Sequence, residues 1–390
     1  MKLDPSVVAA PTLAWAAKVA ELRRVGRPIV SLGLGEPDFP TPPHIVEAAA
    51  RAMREGFTTY SAGAGLPELR EAVARKLTRD NGIAAAADEV VITPGAKNAL
   101  FLAAAAVLEP GDEAVHLTPG YVSNLPILKL AEPSCRAVEV ALSGPRFDLD
   151  LGRLEAPVGE NTRLLLLNYP NNPTGRLPSP AEAAGLLSLI RRRPKLTVVS
   201  DEIYERLLLG GGASFSPAAA ADIRERVVTV NGLGKTYAMT GWRIGYAHAA
   251  APLARKISHI HQQINTHTAT FIQKAAFAAL EGPHDHLAAF TARLKANKAR
   301  YERFLAGAPD LRGSTPEGGF FAFVDISAAR LGSDAFASAL LEETGVAVLP
   351  GLSFGSAYDA YCRLSLAAPE AAFGSALDKI AGFVAARARA

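Results

Sequence analysis

The chain has 390 residues, and its 41 lysine and arginine side chains nearly balance 38 aspartate and glutamate side chains, for a formal net charge of +3. This length predicts about two or three compact units, and the charge balance provides no general field for binding nucleic acid or an anionic membrane. The two cysteines, Cys135 and Cys362, match neither a disulfide framework nor a metal-binding spacing. They indicate a reducing compartment, which we expect to be the cytoplasm.

Neither a membrane span nor a secretion signal is expected. The longest uninterrupted apolar run, ALFLAAAAVL, has ten residues, about half of the ~20 needed to cross a bilayer. The N-terminal run VVAAPTLAWAA resembles the apolar part of a signal peptide. However, Asp4 spoils the basic start that such a signal needs, and Pro11 interrupts the run.

The first 40 residues contain a predicted helix near 13–24 and a strand-like run, PIVSLGLG. From about Asp88 onwards, short apolar runs alternate with longer stretches at helical spacing. The strand-like runs are EVVITPG, EAVHLTPG, RLLLLNYP, LTVVSDEIY, RVVTVNG and WRIGYAHA. Apolar runs that are separated by helices predict an α/β fold with a mostly parallel sheet, buried on both faces.

A different pattern follows Gly282. A long charged helical stretch, HLAAFTARLKANKARYERFLAGA, precedes strand-like runs in GGFFAFVDIS, GVAVLPGLSF and YCRLSLAA, and a final helix runs towards Ala390. We therefore predict a large domain over residues 41–285 and a smaller α+β domain over residues 286–390. Residues 1–40 are predicted to pack with the small domain.

Several strand-like runs end in polar or reactive residues. In open parallel sheets, ligands bind beyond the carboxyl ends of the strands, so these residues are predicted to line one crevice. They are Gly95 and Lys97, Tyr121, the segment 168–175, Asp201 with Tyr204, and Lys235.

Three other motifs do not support a site. The GKT sequence at 234–236 lacks the upstream glycine of a phosphate-binding P-loop, because Thr229 stands there. The sequence GLGEPD has two glycines of a dinucleotide fingerprint without the third, and no βαβ pattern surrounds it. His259 and His261 are two residues apart and would point in different directions on a helix, so no metal site is predicted.

The residues at the strand ends have the chemistry needed to hold pyridoxal 5'-phosphate (PLP). Lys235 lies on a glycine-rich loop, where its amine could form a Schiff base and then swing away. Asp201 could keep the pyridine nitrogen protonated. Arg243 and the backbone amides that follow Gly95 could bind the phosphate dianion, while an aromatic side chain covers the ring.

Several motifs in order along the chain resemble the class I/II aminotransferases, a family of fold type I PLP enzymes. They are SLGLGEPDFPTP, YSAGAGLPELREAV, NYPNNPTG, SDEIYE, GKTYAMTGWRIGY and YCRLSLA. The chain is most similar in appearance to bacterial aspartate or aromatic aminotransferases. The resemblance implies a large domain with a mostly parallel seven-stranded sheet, a smaller α+β domain, and a homodimer with shared active sites.

The resemblance also implies roles for individual residues. Lys235 matches the Schiff-base lysine, which in this family also moves the substrate α-proton. Asp201 matches the partner of the pyridine nitrogen, Asn172 and Tyr204 match the pair that hydrogen-bonds the phenolic oxygen, and Tyr121 matches the stacking aromatic residue.

Further matches concern the phosphate and the substrate. Gly95, Ala96 and Arg243 match the phosphate-binding residues, next to Lys97, and Tyr60 resembles a tyrosine that reaches the phosphate of the neighbouring subunit. Arg363 matches the arginine that binds the α-carboxylate of the substrate, beside Gly35 and Asn172. Lys97, with Thr12 nearby, matches a distal carboxylate site; a solvent-facing lysine at a helix start explains Lys97 equally well.

Four positions depart from the family pattern. Gly232 and Gly234 replace serine or threonine residues that contact the phosphate in many relatives, at a cost of about 1–3 kcal/mol unless another donor substitutes. Asn124 stands where relatives often have an aromatic residue, and Gly120 precedes Tyr121. The changes at Asn124 and Gly120 predict a wider or more polar distal pocket.

We therefore expect a ping-pong aminotransferase that uses aspartate or an aromatic amino acid and a 2-oxo acid such as 2-oxoglutarate. One alternative is another PLP reaction on the same scaffold: a β-lyase, an oxidase or a cyclising synthase. A second is a non-catalytic ligand-sensing homologue. The complete set of lysine, aspartate and arginine residues, and the lack of residues for a DNA-binding domain, disfavour the second alternative.

Overall fold

The computed structural model describes residues 4–8, 11–210 and 213–389. Its helices are α1 (Pro11–Arg24), α2 (Pro43–Arg54), α3 (Pro67–Asn81), α4 (Ala96–Val107), α5 (Asn124–Ala131), α6 (Leu151–Glu155), α7 (Pro180–Arg192), α8 (Ala251–Asn265), α9 (Thr270–Glu281), α10 (Asp285–Gly307), α11 (Ser333–Thr344) and α12 (Glu370–Ala388). Its strands are β1 (Val30–Ser31), β2 (Val90–Thr93), β3 (Glu113–Thr118), β4 (Arg136–Ala141), β5 (Thr162–Asn168), β6 (Thr197–Asp201), β7 (Val227–Gly232), β8 (Gly245–His248), β9 (Arg312–Gly313), β10 (Phe321–Asp325), β11 (Val346–Ala347), β12 (Leu349–Pro350) and β13 (Tyr361–Ser365).

The largest sheet has seven strands in the order β2-β8-β7-β6-β5-β3-β4. Only β8 runs antiparallel to its neighbours, so the prediction of a mostly parallel α/β sheet is confirmed. The strand-like runs identified from apolar patterning omitted β4. Three of the six residues of this edge strand are exposed and only one is buried, and the strand pairs with β3 alone.

Helices cover both faces of this sheet, which explains the continuous burial of strands such as β3. On one face, α3, α7 and α9 pack through Leu77, Leu189 and Ala276. On the other, α4 and α8 pack through Leu102 and Ile257. The small residues of α4 allow this helix to lie close behind the central strands.

A second sheet has four antiparallel strands in the order β12-β13-β10-β9. Phe336 of α11 and Phe373 of α12 belong to the core beneath it, with Leu294 of α10. The short strand β1 pairs in parallel with β11, where Val30 lies opposite Val346. Residues near the N-terminus thus contact the C-terminal part of the chain; the domain boundaries at 40 and 285 stay a prediction.

Among the described residues, no helix combines the length and the apolar character needed to cross a membrane.

Candidate active site

The strand ends bring most of the predicted residues to one edge of the large sheet. Because β2, β3, β5, β6 and β7 run in the same direction, the segments that follow them meet at their carboxyl ends. Side chains connect these segments directly: the Asn168 amide donates to the Asp201 carbonyl at 3.2 Å and accepts from the Asn172 N–H at 2.8 Å. The predicted crevice is therefore one continuous structure.

Lys235 lies three residues beyond the end of β7, and its Nζ donates to the Gly35 carbonyl at 2.5 Å. Burial, followed by the charges of Arg363 and Arg243, lowers the pKa of Lys235 to about 8, although Glu36 and Asp201 oppose the change. A substantial fraction of the amine is therefore neutral near physiological pH. A neutral amine is the form that attacks a carbonyl carbon.

Asp201 is the last residue of β6 and is 5% exposed. Its Oδ1 accepts a hydrogen bond from the Ile203 N–H at 3.2 Å. Burial raises the pKa of Asp201 to about 7, while this hydrogen bond and Lys235 act in the opposite direction. Among the described residues, no cationic side chain lies within ion-pair distance of Asp201, so the carboxylate is suited to a cation supplied by a ligand.

Tyr204 and Tyr121 provide aromatic side chains at the same edge. Tyr204 packs edge-on against Phe320 and Phe321, with ring centroids 5.4 Å and 5.7 Å away, and burial raises its pKa. The phenol therefore remains a hydrogen-bond donor. Tyr121 is half-buried after β3, and the Lys97 Nζ lies 5.7 Å from its ring centroid.

Backbone amides and a guanidinium meet at the N-terminus of α4. Gly95 precedes this helix with φ +86°, and a Cβ there would lie 2.7 Å from Nη2 of Arg243. A Cβ on Gly245 would likewise lie 2.5 Å from the Ala96 nitrogen. These glycines leave open a small cradle with positive electrostatic potential, the kind of site that binds phosphate.

Arg363, on β13, is a buried guanidinium that is 2% exposed. Its Nη1 donates to Asn172 Oδ1 at 3.0 Å, its Nη2 donates to the Gly33 carbonyl at 2.8 Å, and its Cζ lies 3.9 Å from the Phe321 ring centroid. Within the described chain its Nε has no hydrogen-bond partner, and no carboxylate pairs with it. Burial lowers its pKa to about 10, although Tyr204 and Tyr121 oppose the change.

Gly35 lies next to both Lys235 and Arg363. Its carbonyl accepts from Lys235, and a Cβ on it would lie 3.8 Å from Arg363 Nη2 and 3.2 Å from Phe321. Sequence reasoning missed Gly33 and Phe321 as contacts of Arg363. The aromatic pair in GGFFAF was a usable signal for Phe321, but the Gly33 carbonyl had none, because any residue has a backbone oxygen.

Three other predicted residues have no hydrogen bond to this group among the described residues. Tyr60 is 85% exposed and packs edge-on against His267. Lys97 is exposed at the start of α4 and lines a cavity together with Pro11, the neighbour of Thr12. The roles of Tyr60, Lys97 and Thr12 stay predictions.

The residues that are present fit PLP on structural grounds. The glycine cradle beside Arg243 accommodates a phosphate, the buried Asp201 has no ion-pair partner among the described residues, and Lys235 carries an amine of lowered pKa. An open α/β sheet with this lysine, carboxylate and pair of arginines has the arrangement expected of a PLP enzyme.

Comparisons with known proteins agree with this classification. The family model for aminotransferase class I and II matches residues 27–380. The aspartate aminotransferase of Rhizobium meliloti is 38% identical over 378 residues, which cover 94% of this chain and 91% of that protein. The aspartate/prephenate aminotransferase of Thermus thermophilus is 39% identical over 372 residues, covering 95% and 94%.

A solved structure agrees equally well. The aromatic aminotransferase from Pyrococcus horikoshii superposes with a TM-score of 0.88 at 33% identity, covering 95% of this chain and 99% of that chain. The chain belongs to the class I and II aminotransferase family, whose members use PLP, and it is an aminotransferase.

Proposed function

We propose that this chain binds PLP at the candidate active site and transfers the amino group of an L-amino acid to a 2-oxo acid. The observation that carries the proposal is Arg363, a buried guanidinium that has no carboxylate partner among the described residues and is grouped with Lys235 and Asp201. A buried cation without a carboxylate is unfavourable by itself. An amino-acid carboxylate would supply the missing charge and the acceptor atoms.

The substrate α-carboxylate would bind the remaining N–H groups of the two Nη atoms of Arg363, since Asn172 and Gly33 accept only one from each. These two contacts and the Phe321 ring fix the orientation of the guanidinium before the substrate arrives. The α-carbon would thereby face Lys235, whose neutral amine can take the α-proton and later return it.

PLP, when bound, would supply the electron sink that stabilises negative charge at the substrate α-carbon. Asp201 would hold a proton on the pyridine nitrogen, while Tyr204 and Asn172 would donate to the phenolic oxygen. Ala96 at the start of α4 and Arg243 would bind the phosphate, and Tyr121 would cover the ring. In this assignment, each buried polar group of the site has a partner of matching chemistry.

We propose a homodimer with shared active sites. Three site residues are exposed in the single chain: Arg243, Lys97 and Tyr60. However, the phosphate site that Arg243 and Tyr60 would serve needs to exclude water. A second copy that places its own Tyr60 against the cradle would cover these side chains. Residues 1–40 and 286–390 would then form the small domain on the large domain of residues 41–285.

The relatives are named as acting on aspartate, prephenate or aromatic substrates. We therefore propose aspartate or an aromatic amino acid as the donor, 2-oxoglutarate as the acceptor, and the cytoplasm as the site of action. The two half-reactions would follow a ping-pong order because both substrates would use Arg363.

A single-turnover experiment tests the proposal. Purified protein loaded with PLP is mixed with one amino acid at a time, without an oxo acid, and the products are identified. Formation of the matching 2-oxo acid in one equivalent per site supports the proposal. Formation of pyruvate with ammonia over many turnovers refutes it in favour of a lyase.

A further inference from the structure

A cavity of about 550 Å³ adjoins the candidate active site. It lies between the N-terminal segment, the residues that follow β3, and the loop that follows β12. Its wall includes Tyr121 and Lys97, together with Phe354, whose ring centroid lies 5.4 Å from the Arg363 guanidinium. A ligand with its carboxylate on Arg363 could therefore extend its side chain past Phe354 into this cavity.

Two residues after β3 keep the cavity open. Asn124 is buried and lines it, and its short amide leaves space that a larger side chain would fill. Gly120 also lines the cavity, and a Cβ there would lie 2.3 Å from the Leu117 carbonyl oxygen. The chain at this point cannot carry a side chain without moving its backbone.

The floor of the cavity carries a histidine. His116 is 3% exposed, lies on β3 and lines the cavity. In the β3–β4 register it stands opposite Glu139, which also lines the cavity. Among the described residues, neither ring nitrogen of His116 has a hydrogen-bond partner of good geometry. Both nitrogens are covered by protein atoms. Because buried imidazoles normally have partners, a turn of the ring towards the cavity would let a ligand supply one.

The charge state of His116 limits the ligands that it can bind. Burial lowers its pKa, and the Glu139 carboxylate and the Leu117 backbone only partly oppose this change. The ring is therefore neutral at pH 7, with one N–H donor and one acceptor nitrogen. A carboxylate offers acceptors only and an ammonium offers donors only, whereas a hydroxyl or a carboxamide offers both.

We infer that His116 is a specificity-determining residue, which binds the distal end of substrates whose side chains carry an uncharged hydroxyl or carboxamide group. This inference rests on the proposed function, since Arg363 must hold the substrate carboxylate. The aromatic rings of Tyr121 and Phe354 along the way favour a phenol, and the 550 Å³ volume accommodates one.

The test is a binding measurement that does not require turnover. Calorimetry on the PLP-loaded protein compares 3-(4-hydroxyphenyl)propanoate with 3-phenylpropanoate, which differ by one hydroxyl group. We expect about a tenfold preference for the phenol in the wild type, and the loss of this preference in His116→Val. His116→Asn should restore part of it, because an amide also donates and accepts.

His259→Val is the matched control, because His259 is an exposed histidine on α8 outside the cavity, and it should keep the full preference. Asn124→Tyr should weaken both ligands by filling the cavity. Equal binding of the two ligands by the wild type, or a preference that survives in folded His116→Val, would overturn the inference.

Steady-state kinetics then distinguish a phenol side chain from a carboxamide side chain. A kcat/KM ratio of tyrosine to phenylalanine that falls about tenfold in His116→Val assigns a phenol, and the same fall for glutamine to methionine assigns a carboxamide. No fall in either ratio refutes the inference. If no amino acid yields an oxo acid, the proposed function fails, while the calorimetric preference still reports on His116.

Discussion

Replacement of Arg363 should separate substrate binding from folding stability. Charge-assisted hydrogen bonds contribute about 1.5–3 kcal/mol each, and the remaining N–H groups of the two Nη atoms would supply two of them. Arg363→Gln should therefore lower kcat/KM by about 1,000-fold. Arg363→Lys keeps the charge but loses the planar fork and the stacking on Phe321, so we expect a decrease of about 100-fold.

The unliganded protein should lose little stability in the same variants. The pKa of Arg363 falls from an ordinary 12.5 to about 10, which corresponds to about 3 kcal/mol of unfavourable charge burial. Arg363→Gln removes this cost, but it also removes the hydrogen bonds to Asn172 and Gly33, at about 1 kcal/mol each. The free energy of unfolding should therefore change by about 1 kcal/mol or less.

Steady-state kinetics and urea unfolding of the unliganded protein provide the two readouts. Arg312→Gln is the control, because Arg312 is an exposed arginine in the same four-stranded sheet, and it should change neither quantity. The reasoning is wrong if Arg363→Gln keeps kcat/KM within threefold of the wild type. It is also wrong if the variant loses more than about 3 kcal/mol of stability, since Arg363 would then be chiefly structural.

Three further predictions concern the cofactor side of the site. Because burial raises the pKa of Asp201 from 3.8 to about 7, the unliganded fold should lose stability as pH rises from about 4 to about 7. Asp201→Asn should remove this loss and raise the free energy of unfolding in urea at pH 8 by up to about 4 kcal/mol. If stability changes with pH in the variant as it does in the wild type, the assignment is contradicted. Gly95→Ala places a Cβ 2.7 Å from Arg243 Nη2 and should weaken PLP binding in equilibrium dialysis, whereas Gly111→Ala, at a similar φ of +90° with no atom within 4 Å, should not. The pKa of Lys235 is lowered to about 8, so the rate at which the unliganded protein binds PLP covalently should rise with pH up to about 8 and then level off. Visible absorbance measures this rate. A rate independent of pH, or covalent binding by Lys235→Ala, would show that another group reacts.

The large sheet was predictable because its signals are local. A central strand such as β5 is a continuous apolar run that ends in a polar residue. This pattern depends only on neighbours in sequence. Because Lys235, Asp201 and Gly95 each follow or end such a strand, their place at one edge of the large sheet was also predictable. The edge strand β4 escaped the apolar pattern because half of its residues face solvent.

The sequence by itself determined the fold class and the aminotransferase family, and it predicted the reactive residues, because each depends on residue types at short spacing. Only the tertiary structure joined Arg363 to Asn172 and to Gly33, which lie 191 and 330 residues away in the chain. The same holds for His116, whose exposure to a cavity depends on the N-terminal segment and the loop after β12. Desolvation is the physical reason: burial of Lys235, Asp201 and Arg363 shifts their pKa values, and burial is a property of the folded chain.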